Sequence, residues 1–161
     1  MIIIKNLKEY QLYLKQEKKL SPNTIESYFN DLSLYLEFII KYHKVKDPND
    51  ITTRIVEQYL KNLKNKGFKQ AGIMRKLSSI KGFHKFLILE SHVKTDVASE
   101  ISIQKKELLL PKILSKNDII KLITVLDEKT PLGYRNKALL ELLYGSGLRV
   151  SELLNLKLLD I

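Results

Sequence analysis

Apolar side chains recur along this chain at intervals of three and four residues, the period of helices with one buried face. Ile3, Leu7, Tyr10 and Leu14 form one stripe over residues 3–19 and predict a first helix. Ser21-Pro22-Asn23-Thr24 is a start signal, serine as N-cap and proline at the first helical position. Ile25, Tyr28, Phe29, Leu32, Tyr35, Leu36 and Ile39 then carry a second helix to about Lys41. Residues 44–50 read as a loop, after which Thr52 or Thr53 caps a third helix with Ile55, Val56, Tyr59, Leu60 and Leu63, ending at Gly67. A fourth covers roughly Gln70 to Glu90 and turns Ile73, Leu77, Ile80, Phe83, Phe86 and Leu87 inward. Four such helices predict a compact bundle.

The period is lost from Ser91 to Pro111, which reads as a linker carrying Lys105 and Lys106. Ser115 caps a fifth helix, with Asp118 at the capping-box position and Ile119, Ile120, Leu122, Ile123 and Leu126 following. A turn through residues 129–133 leads to an apolar helix from Tyr134 with Leu139, Leu140, Leu142 and Leu143. Gly145 and Gly147 supply the backbone freedom for a sharp reversal, and a short helix with Leu153, Leu154 and Leu156 follows. No alternating strand pattern and no internal repeat is present. The expected fold class is therefore all-α, divided into a helical domain at 1–92, a linker at 93–112 and a second helical region at 113–161.

An apolar share of 44% in 161 residues suffices for a core. The absence of cysteine excludes disulfides and thiolate metal sites, and His43, His84 and His92 show no ligand spacing, so neither metal nor cofactor is expected. Lys5, Lys8 and Glu9 interrupt the opening apolar run too early for a secretory or membrane segment, and a cytoplasmic protein is expected. The formal net charge is +10, which favours polyanionic partners and nucleic acid first. Residues 1–106 hold 20 basic and 11 acidic side chains, against 8 and 7 in the remainder. Gln58 to Leu89 contains eight Lys or Arg and no acid, and the polar side of the fourth helix combines Arg75, Lys76, Lys81 and Lys85 with Ser78, Ser79 and Gly82. Charge with small residues lets a sugar-phosphate backbone approach; a merely solvated lysine face is the plain alternative. Arg149, just past the glycine break, is a candidate phosphate ligand, with Glu152 three residues on as its support; a solvated surface pair would have the same spacing.

The string Ala138-Leu-Leu-Glu-Leu-Leu-Tyr-Gly-Ser-Gly-Leu-Arg-Val-Ser-Glu-Leu-Leu-Asn-Leu156 closely resembles the first-arginine motif of the tyrosine recombinases, the phage integrase family, and of their Xer type in particular. Ser21 to Leu36 and Arg75 to Leu87 look like the second and fourth helices of that family's core-binding domain, and Leu110 to Ser115 resembles the entry to its catalytic domain. The resemblance implies a four-helix core-binding (SAM-like) bundle, half of a clamp on duplex DNA, followed by the first helices of a catalytic domain. It gives Arg149 the scissile-phosphate contact and Glu152 the supporting role. DNA contacts are expected from Asn23, Thr24, Ser27, Arg75, Lys76, Ser79 and Lys81, while Ser21 reads as a cap and Tyr28, Tyr35 and Tyr59 as core. The implied activity is site-specific DNA recombination or integration, with a role in chromosome partition; the implied partners are double-stranded DNA and, as in full-length relatives, a tetramer on it, with no membrane.

The family's nucleophilic tyrosine, β-hairpin lysine and His-x-x-Arg motif have no match in the chain, which runs out at Leu156-Lys-Leu-Leu-Asp-Ile161, within the catalytic domain. Tyr144 reads as packing on an apolar helix. Strand cleavage by these residues alone is therefore not expected, because such catalytic groups act as a unit. Leu153, Leu154, Leu156, Leu158, Leu159 and Ile161 are expected to form an uncovered apolar patch. The other readings are a DNA-binding remnant without catalysis and a helical interaction protein.

Overall fold

The computed structural model describes residues 1–103, 113–126 and 129–160. They belong to two units, Met1–Glu107 and Leu108–Ile161. Lys105, Lys106 and the run Leu108 to Pro111 lie outside the described residues, as does Ile161.

In the first unit the apolar stripes become α1 (Ile2–Gln16), α2 (Pro22–His43), α3 (Thr53–Asn65) and α4 (Gln70–Leu89). Their ends follow local chemistry. The Thr24 N–H donates to Ser21 Oγ at 3.3 Å at the start of α2, and the Ile55 N–H donates to Thr52 Oγ1 at 3.4 Å, so Thr52 and not Thr53 caps α3. Gly67, at φ +80, turns the chain out of α3. The expected loop after α2 contains a 3-10 turn, Pro48–Asp50, in which Asp47 Oδ1 accepts the Asn49 N–H at 2.8 Å, while Val45, Pro48 and Ile51 are buried. Every residue assigned to the inward face of α1 and α4 is buried.

α4, like α2, touches all three other helices of the bundle. It is therefore covered more widely than its amphipathic pattern suggests, and Lys76, Ser79 and His84 are buried along with its apolar residues. Gly82, expected to leave room for a phosphate, instead leaves room for Tyr10: a Cβ there would stand 2.6 Å from the tyrosine hydroxyl oxygen. The Tyr10 ring is wedged between Phe83 and Phe86, with centroids 5.5 and 5.1 Å away.

The segment after α4 folds back over the bundle. Ala98 and Ile101 are buried in the core, with Val93, Val97 and Ile103 packed against it. Three side chains hold its backbone: Asn49 Nδ2 donates to the His92 carbonyl at 3.1 Å, Thr53 Oγ1 to that of Val97 at 3.0 Å, and Lys81 Nζ to that of Ser99 at 2.8 Å. Residues 93–103 fall in the stretch expected as linker, because a packed irregular segment has no helical period to announce it.

The second unit comprises α5 (Lys116–Thr124), α6 (Pro131–Ser146), α7 (Val150–Leu154) and a 3-10 turn at Leu158–Asp160. Ser115 and Asp118 close a capping box, each accepting the other's backbone N–H at 3.2 and 3.1 Å. α6 begins a turn earlier than Tyr134, because Thr130 Oγ1 accepts the Gly133 N–H at 3.0 Å and Pro131 suits the first turn. Gly145 lies within α6; Gly147, at φ +66, makes the reversal, its N–H donating to the Leu143 carbonyl at 3.1 Å. Leu153 is buried, so the expected apolar tail is smaller than six residues, while Leu154 and Leu159 are exposed. α5 and α6 leave between them an apolar groove of about 240 Å³, lined on one side by Ile119 and Ile123 and on the other by Leu140 and Tyr144. Among the described residues there is no strand, and no helix is long and apolar enough to cross a membrane.

Candidate nucleic-acid interface

At the start of α2, Asn23 and Ser27 are exposed. Thr24 is half-buried and its hydroxyl lies 2.8 Å from that of Ser21, so part of its hydrogen-bonding capacity serves the cap. All three lie within the first two turns of α2.

On α4 the predicted contacts separate. Arg75 remains 52% exposed at its side chain, while Lys76 is 7% exposed and Ser79 is buried. All three converge on Asp31 of α2, which sequence reading does not single out. Arg75 donates from both terminal guanidinium nitrogens to the two Asp31 oxygens, at 2.6 and 2.8 Å. Lys76 Nζ donates to Oδ1 at 2.7 Å and Ser79 Oγ to Oδ2 at 3.1 Å. Lys76 Nζ also lies 5.5 Å from the centre of the Phe68 ring. The acid-free run from Gln58 to Leu89 is thus partly neutralised by a carboxylate from another helix. Asp31 falls on the inward stripe of α2 between Tyr28 and Tyr35, and an acid at such a position opposite a basic helix is the signal that would have found it. Lys81 is half-buried and committed to the Ser99 carbonyl.

Tyr59 lies near this cluster, its hydroxyl buried with no partner among the described residues. Burial, followed by the negative charge of Asp31, pushes its pKa up to about 12.

In the second unit, the turn at Gly147 delivers Arg149 to the N-cap position of α7. Its side chain is 82% exposed and its Nη1 donates to Glu152 Oε1 at 2.8 Å. Glu152 Oε2 accepts the Arg149 backbone N–H at 2.7 Å, so one carboxylate holds both ends of the same residue. These hydrogen bonds, the backbone one foremost, keep the Glu152 carboxyl below the usual carboxylate range. A guanidinium held this way still has most of its N–H groups directed to solvent and can accept an oxyanion. No group of His, Cys, Asp and Glu among the described residues could hold a metal ion.

Sequence comparison adds two matches along the chain. The family described as phage integrase, N-terminal SAM-like domain, matches residues 7–91, and the phage integrase family matches residues 112–161. Among similar proteins, the tyrosine recombinase XerD of Oceanobacillus iheyensis is 39% identical over 155 residues, 96% of this chain and 52% of the relative. XerD of Halalkalibacterium halodurans is 36% identical over 156 residues, 97% of this chain and 52% of that protein. The tyrosine recombinase XerC of O. iheyensis is 36% identical over 149 residues, 92% of this chain and 48% of the relative. The chain spans about half the length of the curated relatives it matches.

Proposed function

Because the chain belongs to the phage integrase family, the tyrosine recombinases, we propose that it supplies the duplex-gripping bundle and the first catalytic arginine of a Xer-like site-specific recombinase. Arg149 is the catalytic residue in this reading: its guanidinium meets a non-bridging oxygen of the scissile phosphate and offsets the charge that grows there in the transition state. Glu152 keeps the guanidinium in place and, with its lowered pKa, remains ionised through neutral pH. The observation that carries the reading is this paired geometry, an exposed arginine tied by one carboxylate at 2.8 Å through its side chain and 2.7 Å through its backbone, within the string matched to the family.

Asn23, Ser27 and Arg75 are the proposed direct phosphate contacts of the bundle, with Thr24 beside them. Lys76 and Ser79 act from behind Arg75, and Lys81 fastens the segment that follows α4. The whole protein's setting is inferred to be a tetramer on duplex DNA in the cytoplasm, where recombination serves integration or chromosome partition.

The experiment is duplex binding by the purified 161-residue chain across a salt series. Affinity is expected to fall steeply, with a slope of log affinity against log salt of about −0.9 per phosphate neutralised. No binding at low salt would remove the reading in favour of a helical interaction protein. With nicked suicide substrates the same chain is expected to form no covalent adduct, since of the family's catalytic groups only Arg149 is matched in it; an adduct would mean that a nucleophile is present among these residues.

A further inference from the structure

Asp31 is held in an arrangement that does more than neutralise charge. Its side chain is 2% exposed, and each oxygen takes two donors: Oδ1 from Arg75 Nη2 and Lys76 Nζ, Oδ2 from Arg75 Nη1 and Ser79 Oγ. The four acceptor positions of the carboxylate are filled. The paired contacts with Arg75, 2.6 and 2.8 Å, fix the plane of the guanidinium as well as its position. Two cations face one anion, and because Lys76 is buried the surplus positive charge emerges at Arg75. The N–H groups of Arg75 not used by Asp31 have no partner among the described residues, on a side chain that is half-exposed.

A long side chain normally loses much rotamer freedom when it binds, and a fork already locked in place has little left to lose. We propose that Asp31 is a positioning residue that sets Arg75 as a rigid fork for one backbone phosphate of duplex DNA, with Lys76 and Ser79 holding the carboxylate from behind. A phosphate suits the fork because its oxygens accept hydrogen bonds over a wide range of directions, whereas a base edge demands a specific approach. The inference rests on the duplex-binding reading above.

The test is fluorescence anisotropy with a labelled duplex and the whole chain, comparing wild type with Asp31→Asn, Arg75→Ala, Arg75→Lys and the Asp31→Asn/Arg75→Ala pair, folding checked by circular dichroism. Asp31→Asn adds one unit of positive charge, so the overall field by itself would tighten binding. The clamp requires the opposite, a weakening of about tenfold, and no further weakening by Asp31→Asn once Arg75 is alanine. Removing Arg75 is expected to lower the salt slope by about one. Arg75→Lys keeps the charge at a half-exposed position but not the fork, and is expected to bind nearly as weakly as Arg75→Ala; this comparison stands even if Asp31→Asn does not fold. Equal or tighter binding by folded Asp31→Asn, or unchanged binding by Arg75→Lys, overturns the clamp while leaving the duplex-binding reading intact. A loss confined to one base-pair identity overturns the phosphate assignment. A wild-type chain that ignores duplex DNA at low salt overturns both.

Discussion

His84 is buried on α4, its Nε2 3.3 Å from the Tyr35 hydroxyl and its ring edge-on to Phe83. Burial lowers its pKa from 6.5 to about 4, and the charge of Asp96 offsets only part of that shift. The neutral imidazole is thus the folded form, while the unfolded chain takes a proton near pH 6.5. The stability this provides is complete above that pH and is lost as the pH falls toward 4, by up to about 1.4 kcal/mol per unit. Urea unfolding at a series of pH values between about 7.5 and about 4.5 should show the decline, and His84→Gln should flatten it; a wild-type stability constant over that interval would exclude the effect. Such residues mark where sequence reading stops. His84 lies on a helix whose apolar stripe is plain in the sequence, but a polar residue on a buried face is indistinguishable there from one at the stripe's margin until the neighbouring helix is in place.

At the scale of elements, helix starts are legible where a side-chain cap writes them locally, as at Ser21, Thr52 and Ser115. Coverage is less legible, since it depends on what packs alongside. α4 shows this: it meets three helices, so a side expected to lie open to DNA is partly closed by Asp31 and by Tyr10. Gly82→Ala would bring a methyl group to 2.6 Å from the Tyr10 hydroxyl oxygen, and the flanking aromatic rings restrain that side chain from moving aside. Overpacking of this kind costs about 1–3 kcal/mol, against about 1 kcal/mol gained from alanine's better helix propensity. The single variant is therefore expected to lose about 1 kcal/mol in denaturant unfolding. Adding Tyr10→Phe, which removes the obstructing oxygen, should recover the loss; a double variant no better than Gly82→Ala would show that the contact is not the cause. The glycines at the end of α6 teach the complementary lesson. Only Gly147 takes the left-handed conformation, and Gly145 continues the helix, because one such residue is enough to end it.

Across the whole molecule the two units differ in how much they bury. The first closes its core with four helices and the returning segment, whereas among the described residues of the second only Gly133 and Leu153 are buried. Trypsin is accordingly expected to cut first in the second unit, where Lys116, Lys121 and Arg135 are exposed, and to leave a resistant fragment containing α1 to α4. Mass spectrometry of the digest would identify it, and uniform resistance along the chain would count against the difference. The division into a helical bundle and a second helical region is readable from periodicity, and the charge asymmetry from composition. Composition cannot tell how many cations are already spoken for. The Asp31 cluster has one more consequence, for inheritance: because three α4 side chains share both carboxylate oxygens, losing Asp31 leaves the Lys76 ammonium buried without a counter-charge, and losing Lys76 or Ser79 empties an acceptor position of a buried carboxylate. Random drift should then carry Asp31, Lys76 and Ser79 as one block, exchanged together for an apolar filling or left alone, while the half-exposed Arg75 is freer to change.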